Sequence, residues 1–116
     1  MAERLARAVP PRLDRGDAAD WIEARLAEPQ AHGVTRVLMH SVVWQYLSPE
    51  GQRRIEAAMA AAGARATAER PLGWIAYEVD RTLKRHSLVV RSWPGDGVPK
   101  RYATAHPHGA WIDWED

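Results

Sequence analysis

The stretch VTRVLMHSVVWQYLSPEGQRR, residues 34 to 54, constrains the fold more than any other part of the chain. Val34, Val37, Leu38 and Met39 form the near-continuous apolar run expected of a strand covered on both faces, as in parallel sheets. The run stops at His40-Ser41 and passes through an aromatic-Gln-aromatic step. Ser48-Pro49-Glu50 then carries three helix-start signals at once: a capping hydroxyl, a proline at the first helical position, and a carboxylate near the positive end. Ile55, Ala58, Met59 and Ala62 supply the buried stripe of that helix, and Gly63 is expected at its left-handed C-terminal position. A buried strand can finish in polar groups where its end meets a water-accessible crevice. In open α/β sheets that is where ligands sit, outside the carboxyl ends of the parallel strands.

The flanks extend the pattern. Residues 2 to 8 read as helix, ended by Pro10 and Pro11, and Arg12 to Arg15 as a short strand. Gly16 allows a turn, and Asp17 is placed to cap a helix in which Ala18, Trp21, Ile22 and Leu26 share one face. Pro29 and Gly33 close that segment. Beyond Gly63 the periodicity becomes extended, with strands expected over 72 to 79, 87 to 93, 100 to 105 and 110 to 114. PGDG at 94 to 97 makes the middle pair a hairpin. The order is β-α-β-α followed by an antiparallel run, which predicts an incomplete three-layer α/β domain with two main helices. Its mixed sheet is parallel in the amino-terminal part and antiparallel in the carboxyl-terminal part. The missing first strands should leave an open sheet edge, so a homodimer, or another association that covers the edge, is expected.

Composition narrows the function classes. The 116 residues suffice for one small domain with a single core. Lys plus Arg is 16 against 15 Asp plus Glu, a net charge of +1 with no clustered basic excess, so neither a nucleic-acid nor a membrane surface is expected. The absence of Cys removes disulfides, a thiol nucleophile and Cys-ligated metals, and points to the cytoplasm. No apolar stretch approaches the roughly 20 residues that span a bilayer. Six Trp and no Phe mean that the large aromatic volume comes mainly from indoles, whose N–H groups want partners.

Each candidate residue has a structural and a functional reading. His40 and Ser41 either line the crevice or bridge local backbone groups. Trp44 and Tyr46 either form an aromatic wall around Gln45, suited to stacking on a planar ligand, or pack ahead of the helix as Leu47 does in a hydrophobic staple. Asp17 is a helix cap first and a ligand contact second. Glu78 reads by default as a solvent-facing strand residue, and as a general base only if it reaches the crevice of His40. His106, His108 and Asp113 lack the spacing of a recognised metal site, so no metal is expected. No GxSxG or similar nucleophile signature is present. Arg53 and Arg54 are expected on a solvated helix face.

The words GDAADWIEARL, VLMHSVVWQYLSPEGQRRIEAAMAAAGARA, PLGWIAYE and HPHGAWIDW carry a resemblance, most specific in HSVVWQYLSPE and HGAWIDW. Over residues 3 to 115 the chain resembles the carboxyl-terminal part of a bacterial family known only as domain of unknown function 2332, whose members are much longer. That family is similar, more distantly, to the Rossmann-like fold of S-adenosylmethionine-dependent methyltransferases. The resemblance implies one domain, 1 to 116, corresponding to the carboxyl-terminal half of a longer methyltransferase-like domain. It sets Asp17 at the position that faces the cofactor adenine, and His40-Ser41 beside the methyl group and substrate. The chain departs from the pattern in lacking a glycine-rich first strand-to-helix turn and a second-strand carboxylate. No complete cofactor site is therefore expected here, and S-adenosylmethionine is implied only for longer relatives. Two functions follow: a methyltransferase-like ligand-binding domain with a crevice lined by Asp17, His40, Ser41, Trp44 and Tyr46, or a non-enzymatic structural or interaction module. Neither names a small-molecule ligand.

Overall fold

The computed structural model describes residues 16 to 106, 108 and 110 to 115. The helix expected over residues 2 to 8 and the strand expected over 12 to 15 lie outside the described residues. Helix α1 spans Ala18–Ala27 and helix α2 spans Pro49–Arg65. The strands are β1 (Arg36–Ser41), β2 (Leu72–Asp80), β3 (Arg85–Trp93), β4 (Lys100–Ala105) and β5 (Ile112–Trp114). A single 3-10 turn, Trp44–Tyr46, joins β1 to α2.

Both helices start where their caps dictate. Asp17 Oδ1 accepts from the Asp20 amide at 3.0 Å, and Ser48 Oγ accepts from the Gly51 amide at 3.0 Å, each satisfying one of the amides that a helix start leaves unpaired. The helices bury one stripe each, Ala19 and Ile22 from α1, Ile55 and Met59 from α2, against Leu72, Trp74 and Trp93 of the sheet. Gly63 does not terminate α2 as the sequence suggested. It lies inside the last turn against the Trp93 indole, where a Cβ would come within 2.6 Å of the ring. Gly97, in the turn after β3 with φ +64°, crowds the same indole, so Trp93 is slotted between two glycines.

The sheet order is β1-β2-β3-β4-β5, with β1 parallel to β2 and every later pair antiparallel. The mixed α/β architecture and the switch from parallel to antiparallel follow the expected order. The position of β1 does not. The strand begins at Arg36 rather than Val34, includes His40 and Ser41, and pairs with β2 alone among the described strands, which puts it at a sheet edge. Burial alternates along it: Leu38 and His40 face the helices, whereas Val37 and Met39 are 49% and 69% exposed. Coverage on both faces was therefore the wrong expectation, and the reason is local. The described helices both pack on one face of the sheet, making two layers, and no described element supplies the third. Among the described residues, the apolar run expected to be a two-sided interior strand is covered on one face and has an apolar outer face.

Candidate functional site

Parallel pairing of β1 with β2 aligns the two strand ends. The register sets Leu38 opposite Trp74 and His40 opposite Ala76, so Trp74, Ala76 and Glu78 run along the same face as Leu38 and His40. Trp74 and Glu78 flank the imidazole from the neighbouring strand. His40 Nδ1 lies 2.6 Å from Glu78 Oε2, and the Trp74 indole N–H donates to His40 Nε2 at 2.9 Å. These two contacts define the tautomer, because an Nε2 that accepts from an indole leaves the ring proton on Nδ1, where it donates to the carboxylate. The His40 and Glu78 side chains are only 12% and 18% exposed.

The chain after β1 is shaped around the same carboxylate. Val42 adopts φ 49°, in the left-handed region that a β-branched residue rarely enters. That turn aims the next two amides at Glu78: Val43 N donates to Oε1 at 3.1 Å and Trp44 N to Oε1 at 3.2 Å. Glu78 thus accepts from an imidazole and two backbone amides, a set that satisfies a half-buried carboxylate. Backbone held in such a conformation costs about 1 to 3 kcal/mol and persists where surrounding contacts over-determine it. The 3-10 turn then stacks the Trp44 ring on His40, with centroids 5.2 Å apart and planes 18° from parallel. The Gln52 amide fastens the turn from α2 by donating to the Trp44 carbonyl at 2.8 Å.

These residues border an open recess of about 240 Å³. Trp44, Trp74, Ala76, Val89 and Pro99 give it an apolar wall, and Glu56 and Arg91 stand at its rim. Arg91 lies over the Trp74 ring at 5.0 Å, bonds Glu56 at 2.8 Å, and donates to the Gly97 carbonyl at 2.6 Å. Every charged group around the recess is already engaged by another protein group. A carboxylate behind an imidazole is the pairing that orients a general base in many enzymes, but the outward nitrogen must then be free to take a proton. Here that nitrogen holds the Trp74 N–H. The arrangement as it stands fixes a wall of rings rather than a base.

The structure brings His40 and Trp44 together in this recess and places the other candidates elsewhere. Asp17 caps α1 and belongs to an acidic group around Arg54, which bonds Asp20 at 2.6 Å and Glu23 at 3.1 Å. Arg54 holds the Glu23 carboxyl below the usual glutamate range through that hydrogen bond, and its own pKa is raised in return. The expectation of a merely solvated face at Arg54 gives way to an interhelix clamp. Ser41 follows His40 by one residue and so points to the opposite face of the sheet. Tyr46 is 77% exposed. Glu78 is not the solvent-facing residue of the default reading. The sequence alone does not single out Trp74 or Arg91, although the period-two face of LGWIAYE carries the signal for Trp74 once β2 is paired in parallel with β1. His106 and Trp111 pack edge to face at 6.0 Å, and no metal-binding cluster occurs among the described residues.

A family model described as an uncharacterized protein conserved in bacteria (DUF2332) matches residues 1–114. No curated protein and no solved structure gives a match. Among the described residues, no helix is long and apolar enough to cross a membrane.

Proposed function

The chain belongs to that bacterial family, and from this premise we propose that the recess at the carboxyl ends of β1 and β2 binds a small, flat, largely apolar group and performs no chemistry on it in this chain. The supporting observation is the closure of the polar network: His40, Glu78, Trp74 and Arg91 are bonded to one another or to backbone, which leaves the indole faces as the recognition surface. Aromatic faces favour offset stacking with a planar partner. The position, outside the ends of parallel strands, is where open α/β sheets bind ligands.

A finer, methyltransferase-like reading is supported by the parallel pair followed by antiparallel strands. In that reading the planar group belongs to the substrate, the recess beside His40 lies next to the methyl-bearing end of S-adenosylmethionine, and longer relatives supply the remaining cofactor contacts. Titration with S-adenosylhomocysteine and, separately, with indole tests both levels, with amide shifts at Trp44 and Trp74 as the readout. Shifts there with indole alone keep the recess as a planar-group site and remove the cofactor. Absence of shifts with either ligand at millimolar concentration overturns the proposal.

The edge of β1 that no described strand pairs, with Val37 and Met39 exposed beside it, supports the second reading, an interaction module that pairs with a second copy of itself. Light scattering behind a sizing column would show a dimer that Met39→Lys weakens. A monomer at high concentration would end that reading.

A further inference from the structure

The other end of the same two strands holds a cavity of about 410 Å³, within the size range of small-molecule sites. Its floor is apolar, from Leu26, Ala62, Ala66 and Leu72, and its rim carries Arg36, Arg65 and Arg70. Glu28 is the sole carboxylate of the lining, and Arg25 already holds it at 3.1 Å. None of the three rim arginines meets a carboxylate among the described residues. Arg36 Nη2 donates to the Glu28 carbonyl at 3.0 Å and Arg70 Nε to the Gln30 carbonyl at 2.8 Å. Each guanidinium is therefore anchored by one nitrogen, with the rest of its donor fork unused. Arg65, in the last turn of α2, has no partner among the described residues. The segment between is rigidly tied, because Gln30 Nε2 donates to both the Val34 and the Pro71 carbonyls at 2.7 Å.

Cations at a helix C-terminus complement its partial negative charge, which accounts for Arg65. It does not account for Arg36, at the start of a strand, or for Arg70, in the turn before β2. Three permanent positive charges converge on one preformed cavity with no ion pair to a described carboxylate, and a guanidinium fork matches a carboxylate or phosphate in two-point geometry.

We infer that this cavity binds a small amphipathic anion, its carboxylate or phosphate held by Arg36, Arg65 and Arg70 and its apolar body lying on Leu26, Ala62, Ala66 and Leu72. The site is independent of the recess beside His40.

The test is calorimetric titration of the protein with octanoate, octyl phosphate and the neutral octan-1-ol, with backbone amide shifts to locate binding. Saturable binding of either anion, at least tenfold tighter than the alcohol, with shifts at Arg36 and over residues 65 to 70, is expected. Tighter octanoate names a carboxylate head and tighter octyl phosphate names a phosphate head, and either result supports the site. Arg65→Ala, which breaks no bond to a described residue, should weaken the anion about tenfold with an unchanged unfolding transition, and Arg65→Glu more than that. Equal binding of alcohol and anion, shifts confined to Trp44 and Trp74, or affinity unchanged in both Arg65 variants would each overturn the inference.

Discussion

The two ends of the β1–β2 pair solve opposite problems. At the carboxyl end, Glu78 collects an imidazole and two amides while Trp74 occupies the remaining nitrogen of His40, so the polar groups are consumed by one another. At the amino end, three arginines are anchored by at most one nitrogen each. The backbone differs in the same sense. The turn entering β1 takes its left-handed residue at Gly33, φ 78°, where glycine bears no steric cost. The turn leaving β1 takes it at Val42, φ 49°, where a β-branched side chain does. Strain and closed polar networks thus gather at one end, and relaxed backbone with unused donors at the other. A donor or acceptor atom already used inside the protein is not open to a ligand, so the two ends should recognise different chemistry.

The largest expected effect breaks the closed end. Glu78→Ala leaves the His40 ring proton and two amides without their acceptor in a half-buried place, where each unsatisfied group costs about 1 to 3 kcal/mol. A loss near 3 kcal/mol is expected, read as a shift of the urea midpoint at constant slope. Glu78→Gln keeps an acceptor oxygen and should lose about half as much. Equal losses in the two variants would mean that charge, and not the count of acceptor bonds, holds the turn.

The next effect has the opposite sign. Val42→Gly releases left-handed strain of about 1 to 3 kcal/mol and returns roughly 0.5 to 1 kcal/mol of unfolded-state entropy, for a net gain near 1 kcal/mol. Circular dichroism melts would show the rise. A fall would place the stability of that turn in the Val42 side chain, and the contrast with Gly33 would lose its meaning.

How far all this could be read from the sequence depends on the range of the interaction. The caps at Asp17 and Ser48, the helix after Pro49 and the PGDG turn are local, since each partner lies within a few residues. The buried stripe at Ile55 and Met59 follows from one-helix periodicity. The outer face of β1 was misread because an apolar run reports hydrophobicity and not what covers it, and Val37 and Met39 have no described helix above them. Gly63 was misread because its cause, the Trp93 ring, stands 30 positions away. The site divides in the same way. His40 and Trp44 stand out in the sequence as a polar strand end and an aromatic step, whereas Trp74 and Glu78 join them only through a register that links positions 34 and 38 residues apart.

Between the two ends, the Arg54 clamp gives a pH prediction. Its hydrogen bond lowers the Glu23 pKa in the folded protein, so it contributes stability above the ordinary glutamate pKa, and that contribution is lost as pH falls through the lowered folded value. The groups are solvent-exposed, so the effect should be small and screened by salt. Glu23→Gln should flatten the acid side of the stability profile, measured as melting temperature between neutral and strongly acidic pH.

The smallest expected effect is the sharpest test of the contrast. Arg65→Ala removes a side chain with no bond to any described residue, so unfolding should shift by less than about 0.5 kcal/mol, the usual range for surface substitutions. Relief of repulsion among Arg36, Arg65 and Arg70 would even make the shift favourable, and added salt would shrink it, because screening weakens repulsion between exposed like charges. A loss comparable to that of Glu78→Ala would mean that Arg65 is engaged after all and that the amino end is as closed as the carboxyl end. A near-zero or favourable change would mean that Arg65 is kept beside Arg36 and Arg70 at no benefit to the fold, which is the thermodynamic mark of a side chain maintained for something other than folding.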